Sequence, residues 1–116
     1  MTVAELNRAI GLVLGRAFPD EVWVQGEIAN LSRPASGHVY FDLIGEGSSI
    51  GVTLWASDRQ VVNAVLRRAG GAVRMTDGTE VRIRARISWW PERGRVSLRM
   101  LSIDTAYTLG RLAEAR

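Results

Sequence analysis

The chain has 116 residues, 47% apolar and 23% charged, the balance of one folded domain with a modest core and not of a disordered tract. Cysteine is absent and histidine occurs once, which excludes disulfides and thiolate metal sites and leaves one imidazole for any catalytic arrangement. No apolar run approaches a bilayer span, and the charged N-terminus leads into an amphipathic stretch unlike a signal peptide, so a cytoplasmic location without membrane contact is the expectation.

The net charge is only +3, yet all 15 cations are arginine. A guanidinium grips phosphate bidentately and stacks on bases, so an arginine-only surface suits nucleic acid. A compositional bias of the genome gives the same count, so position has to decide.

In chain order, Thr2 and Glu5 stand at capping-box spacing before an amphipathic run. Val3, Leu6, Ile10, Val13, Leu14 and Phe18 recur at helical intervals, which predicts a helix over Val3–Ala17, stopped by Phe18-Pro19. Residues 1–20 form this helix, packed on or beside the domain. Val22 to Ile28 then alternates with period 2, as a half-buried strand does, and Gly26 inside it marks a bulge or bend. A turn-rich segment, Asn30 to Gly37, carries Arg33 and leads into a second alternating run from His38. These strands span about 21–30 and 38–45. After Gly45-Glu46-Gly47-Ser48-Ser49 comes a third strand, Ile50–Trp55, with Ile50, Val52 and Leu54 on one face. Ser57-Asp58 offers a cap for a helix through Val61, Val62, Val65 and Leu66, which Gly70-Gly71 ends. A fourth strand, Glu80–Trp89, places Val81, Ile83, Ala85 and Ile87 on one side. The Pro91-Glu92-Arg93-Gly94 loop leads to a fifth strand through Val96, Leu98 and Met100, ending near Asp104. Residues 105–116 regain helical character with Leu109 and Leu112 and read as the start of a linker or helix.

Three strands, a helix and a hairpin is the order of the five-stranded Greek-key OB barrel. The fold class is therefore mainly β, with an N-terminal helix and a helix between strands three and four; residues 21–104 form the barrel. An α+β sandwich is the alternative.

The carboxylates are scattered, whereas a two-metal nuclease site needs several converging on cations. No catalytic residue, metal or cofactor is expected. The positive signal is the outward face of strands four and five. Arg82, Arg84 and Arg86 alternate with the apolar set, Arg95 and Arg99 lie on the next strand, and Arg93 precedes them. Such a patch binds phosphate without sequence preference, although a barrel exterior is polar in any case. Arg33 sits in the loop between strands one and two, one of the loops through which such barrels bind. Trp23, Tyr40 and Trp55 fall out of phase with the apolar sets, and Trp89 and Trp90 stand at the mouth of the last hairpin. Exposed rings of this kind stack bases. Trp23 and Trp55 read equally as rings covered by the N-terminal helix, Phe18 and Phe41 as core, and His38 as a loop hydrogen-bonding residue or a phosphate contact.

The stretch Val22-Trp-Val-Gln-Gly-Glu-Ile-Ala-Asn-Leu-Ser-Arg-Pro-Ala-Ser-Gly-His-Val-Tyr-Phe-Asp-Leu resembles the N-terminal OB domain of the exodeoxyribonuclease VII large subunit. So do Glu5-Leu6-Asn7, Gly78-Thr-Glu-Val and Pro91-Glu-Arg-Gly. The resemblance implies a domain that binds single-stranded DNA, in a cytoplasmic nuclease that degrades such DNA to oligonucleotides. Small subunits would be its partners, through parts absent from this chain, and catalysis would belong to a following domain. Ile44-Gly45-Glu46-Gly47 departs from the family by lacking a Lys-Asp pair. The alternatives are a protein-interaction or oligomerisation scaffold, self-associating through the N-terminal helix, and an anticodon-type RNA-binding OB domain.

Overall fold

The computed structural model describes residues 1–114. The first helix, α1 (Val3–Ala17), starts where expected, because the Thr2 hydroxyl accepts the Glu5 amide at 3.1 Å. It ends where the Phe18 amide returns to the Leu14 carbonyl and Pro19 follows. Five strands follow: β1 (Val22–Ser32), β2 (Val39–Gly45), β3 (Ser48–Leu54), β4 (Glu80–Trp90) and β5 (Arg95–Ile103). Between β3 and β4 lies α2 (Arg59–Arg68), and α3 (Thr105–Glu114) comes last.

β3 starts two residues earlier than the sequence pattern predicts. Glu46 and Gly47 both have positive φ (52° and 77°), and Gly45 pairs with Ser48. A two-residue turn with this handedness matches the twist of the strands it joins, so pairing begins at once. The expected Ser57-Asp58 cap is replaced by a 3₁₀ turn over Ala56–Asp58, with no side-chain cap on α2. The Asp58 carboxylate turns outward instead and accepts from Arg99.

The sheet closes in the order β1-β2-β3-β5-β4. Closure depends on β1 serving two neighbours. Its first half, Val22–Glu27, pairs antiparallel with β4, and its second half, from Glu27 to Ser32, pairs with β2. The strand changes partner next to Gly26, at Glu27, which pairs with both neighbours. A Cβ on Gly26 would stand 2.8 Å from the Ile44 carbonyl oxygen and 2.9 Å from Leu43 Cγ, so only glycine lets β2 approach β1 this closely. Across the barrel, a short parallel contact joins Val52 and Thr53 of β3 to Leu98 and Arg99 of β5.

Inward residues of all five strands fill the barrel, among them Ile28, Phe41, Val52, Val81, Ile83, Leu98 and Met100. α2 contributes the fully buried Val62, and Val73 and Met75 of the following connection extend the same core. Phe41 is core, as its phase predicts. Phe18 is not. It caps α1 and stays exposed, because α1 lays no buried residue against the barrel.

The segment read as the start of a linker or helix is, over 105–114, a helix docked on β4; its last two positions lie outside the described residues. Thr108 is buried and donates to the Glu80 carbonyl at 2.8 Å. Arg111 binds the Glu80 carboxylate as well. Glu80 is also the Cα partner of Glu27 across β1 and β4, a like-charge pair that is unfavourable alone; Arg111 offsets it. Its hydrogen bond holds the Glu80 carboxyl below the usual carboxylate range.

Two outcomes are expected. Gly26→Ala lowers stability by about 1–3 kcal/mol, the usual cost of overpacking, read from the midpoint of urea unfolding with slope unchanged. A depressed carboxyl stabilises the fold above its unfolded pKa, and that contribution disappears as pH falls through the folded value. A ¹³C titration should therefore find the Glu80 carboxyl midpoint below 4.5. Arg111→Ala should move that midpoint up and loosen the amides of α3 at neutral pH.

Candidate nucleic-acid interface

Strand register sets out the surface. Tyr40 pairs with Thr53, Thr53 with Arg99, and Arg99 with Arg86. These residues alternate with inward-facing neighbours, so Tyr40, Thr53, Arg99 and Arg86 form one outward row across β2, β3, β5 and β4. Adjacent strands lie about 4.8 Å apart, so each residue of the row stands beside the next as the row follows the outside of the closed barrel from Tyr40 to Arg86. Trp23, Tyr40, Trp55 and Trp90 are 50, 41, 46 and 51% exposed. The out-of-phase rings thus point to solvent, not under α1.

His38, Tyr40 and Trp55 gather at one end of the row. The imidazole meets the Trp55 ring edge-on at 5.1 Å and the Tyr40 ring at 6.2 Å. The Ala56 amide donates to His38 Nδ1 at 2.9 Å, which places the imidazole hydrogen on Nε2, where it can be donated to a ligand. The preceding loop is tied down twice. Arg59 of α2 donates to the Gly37 carbonyl at 3.0 Å, and Arg33 donates to the Met75 carbonyl at 3.2 Å. Residues 77–79 flank the edge of β1 away from β2, through Ile28–Thr79 and Gly78–Ile28 backbone bonds. The Arg33 head therefore leans across β1, away from Tyr40, and fixes the loop while keeping donors for an anion at the rim.

The β4–β5 hairpin supplies the opposite border. Trp90 is outward, the Arg93 guanidinium lies 5.5 Å from its ring centre, and Arg95 is its Cα partner. Trp89 is a correction to the reading that put both tryptophans at the mouth. Period 2 continues the inward phase of Ala85 and Ile87 to Trp89, and at this height α1, not the barrel, covers that side. The Trp89 indole donates to the Asn7 carbonyl at 2.9 Å, and Asn7 in turn donates to the Pro91 carbonyl at 2.6 Å. A Cβ on Gly11 would lie 2.7 Å from Trp89 Cδ1. Trp89 is the seat of the helix. Val96, its Cα partner, is exposed for the same reason: the hairpin has left the barrel.

The basic face is contiguous but largely neutralised. Arg82 meets Asp104 at 4.0 Å, Arg84 and Arg86 share Glu21, and Arg99 makes two bonds to Asp58 that raise its pKa. Among the described residues no carboxylate lies within ion-pairing distance of Arg33, Arg93 or Arg95. Exposed ion pairs of this type contribute about 0–1 kcal/mol each, so the barrel does not depend on them and a phosphate can compete for the guanidiniums. The arrangement offers rings for stacking, exchangeable cations and one neutral N–H donor. That is the equipment of a single-strand binder.

Residues 1–104 match the family described as "OB-fold nucleic acid binding domain". The chain belongs to this family. The OB-fold domain is also 38% identical, over 106 residues and 91% of its length, to a protein named exodeoxyribonuclease 7 large subunit from Pseudomonas aeruginosa. It is 37% identical over 108 residues to the protein of that name from Pseudomonas syringae pv. tomato. It spans 21% of the length of these relatives. Among solved structures it resembles a chain of a replication protein A heterotrimer bound to single-stranded DNA, with a TM-score of 0.51 and 15% identity. The likeness covers 81% of this chain and 66% of that one, and it shows the fold alone.

Thr53 and Arg59 escaped the sequence reading. Thr53 was signalled by its position between inward Val52 and Leu54, whereas nothing local marks Arg59 as the anchor of a loop over twenty residues upstream. We expect Trp89→Ala to release α1, seen as faster proteolysis within residues 3–17 while the barrel stays folded. Trp90→Ala should leave that protection unchanged.

Proposed function

We propose that this OB-fold domain binds single-stranded DNA without sequence preference. The strand lies on the outer face of β2, β3 and β5, between the loop carrying Arg33 and the tip of the β4–β5 hairpin. The observation that carries this reading is the row Tyr40–Thr53–Arg99–Arg86, bordered by His38 and Trp55 on one side and by Trp90, Arg93 and Arg95 on the other. Tyr40, Trp55 and Trp90 stack bases, each stack contributing about 1–3 kcal/mol. Arg93, Arg95 and Arg99 meet phosphates, and His38 Nε2–H donates to a phosphate or base edge.

In a longer protein like the relatives it matches, the domain holds the strand and presents it to a nuclease domain elsewhere, with small subunits as partners and the cytoplasm as compartment. No helix among the described residues is long and apolar enough to cross a membrane. A second reading has one observation behind it. α1 buries none of its residues and exposes Val3, Leu6, Leu12 and Val13, which favours a scaffold that self-associates through this helix.

Titration of a labelled oligo-dT at two salt concentrations tests the first reading. Binding should weaken with salt, and Tyr40→Ala and Trp55→Ala should each reduce affinity about fivefold or more at either salt. No binding at low salt, or binding indifferent to salt, would overturn it. Equal competition by a folded RNA hairpin would favour the anticodon-type alternative, and light scattering from a dimer would favour the scaffold.

A further inference from the structure

The outer face of β4 continues beyond the row just described, onto β1. Trp23 is half exposed and is the Cα partner of Arg84. The Arg82 guanidinium lies 5.4 Å from the Trp23 ring centre. This repeats, at the far end of β4, the pairing of Arg93 with Trp90. Arg86 and Arg84 follow Trp90 along β4, Trp23 stands beside Arg84, and Arg82 lies one step beyond. The three guanidiniums recur at every second residue, about 6.6 Å apart along the strand, close to the repeat of a stretched sugar–phosphate chain. The Glu21 carboxylate bonds Arg84 and lies 3.6 Å from Arg86, and Asp104 faces Arg82. An anion thus already sits where a phosphate would, on a face with a half-exposed indole ring.

We infer that the β4–β1 face is a second segment of the DNA track, in which Trp23 stacks a base and Glu21 is an internal competitor that a phosphate displaces. Short strands fill the first face alone. Longer strands run past Arg86, exchange Glu21 for backbone phosphate and end on Trp23 and Arg82. Glu21 sets the strength of this segment, because its carboxylate must give up two guanidiniums before the phosphate gains them. The inference rests on single-strand binding at the first face.

Fluorescence anisotropy with oligo-dT from ~4 to ~16 nucleotides, the range one OB fold engages, separates the two. Affinity of the wild-type chain should climb with length. Trp23→Ala should remove about tenfold from the longest strand and nothing from the shortest, as loss of one stack predicts. Glu21→Gln keeps the size and polarity of the side chain but removes its charge. It should tighten binding of the long strand several-fold and steepen the log–log salt slope by about 0.7 for each phosphate newly engaged, with a smaller gain on the short one, which reaches only Arg86 of the two guanidiniums that Glu21 holds. Unchanged melting temperatures show that both variants are folded. If short strands bind but length, Trp23→Ala and Glu21→Gln have no effect, the second segment is refuted and the first face stands. If Glu21→Gln weakens long-strand binding, Glu21 is not a competitor and the inference fails. If no strand binds at low salt, both readings fail. Self-association that is lost in Trp23→Ala would overturn the inference in favour of a protein contact at this face.

Discussion

The barrel depends on the passage of β1 from one partner to another next to Gly26. With the Ile44 carbonyl 2.8 Å from the place a Cβ would occupy, this position admits no side chain. Without this close approach β1 would belong to β4 or to β2 but not to both, and five strands would form an open sheet with unpaired edges. Every feature of the binding face inherits its place from this closure. Tyr40, Thr53, Arg99 and Arg86 share a row only because β2, β3, β5 and β4 are held in one register around one core.

Around that frame, polar groups at the periphery fix loops and helices more than they add stability. Arg33 ties the start of the β1–β2 loop to Met75, and Arg59 holds its end at Gly37. Arg111 and Thr108 fasten α3 to the start of β4, and Trp89 seats α1 on the hairpin. Each contact uses a donor to satisfy a carbonyl or carboxylate, and apart from that of the buried Thr108 each is at least partly open to solvent, so its energy is modest. Their value is positional. They set where the rings and cations stand relative to a barrel that would close without them.

The electrostatics of the outer face follow the same logic. A chain whose cations are all arginine pairs several of them with carboxylates. Pairing with Glu21, Asp58 and Asp104 keeps four guanidiniums extended across the sheet, where a phosphate would meet them. Arg93 and Arg95 at the hairpin tip are outside this network, so the field at the border of the face is less compensated than at its centre.

Local sequence determined which segments become helices and strands and which strand residues face the barrel interior; it left open whether the Trp23 and Trp55 rings are exposed or covered. Those properties depend on side-chain period and turn chemistry, which the chain carries within a few residues. Gly26 could be read as a special position of β1 for the same reason, although the register irregularity of the strand lies between Ala29 and Ser32. The sequence did not reveal that Trp89 belongs to α1, that Phe18 stays outside the core, that Arg33 leans to Met75, or that Asp58 serves Arg99 and not α2. Each depends on a neighbour distant along the chain, 82 residues away for Trp89 and Asn7. Only closure of the barrel brings such partners together, since a side chain's phase tells which way it points but not what it will meet.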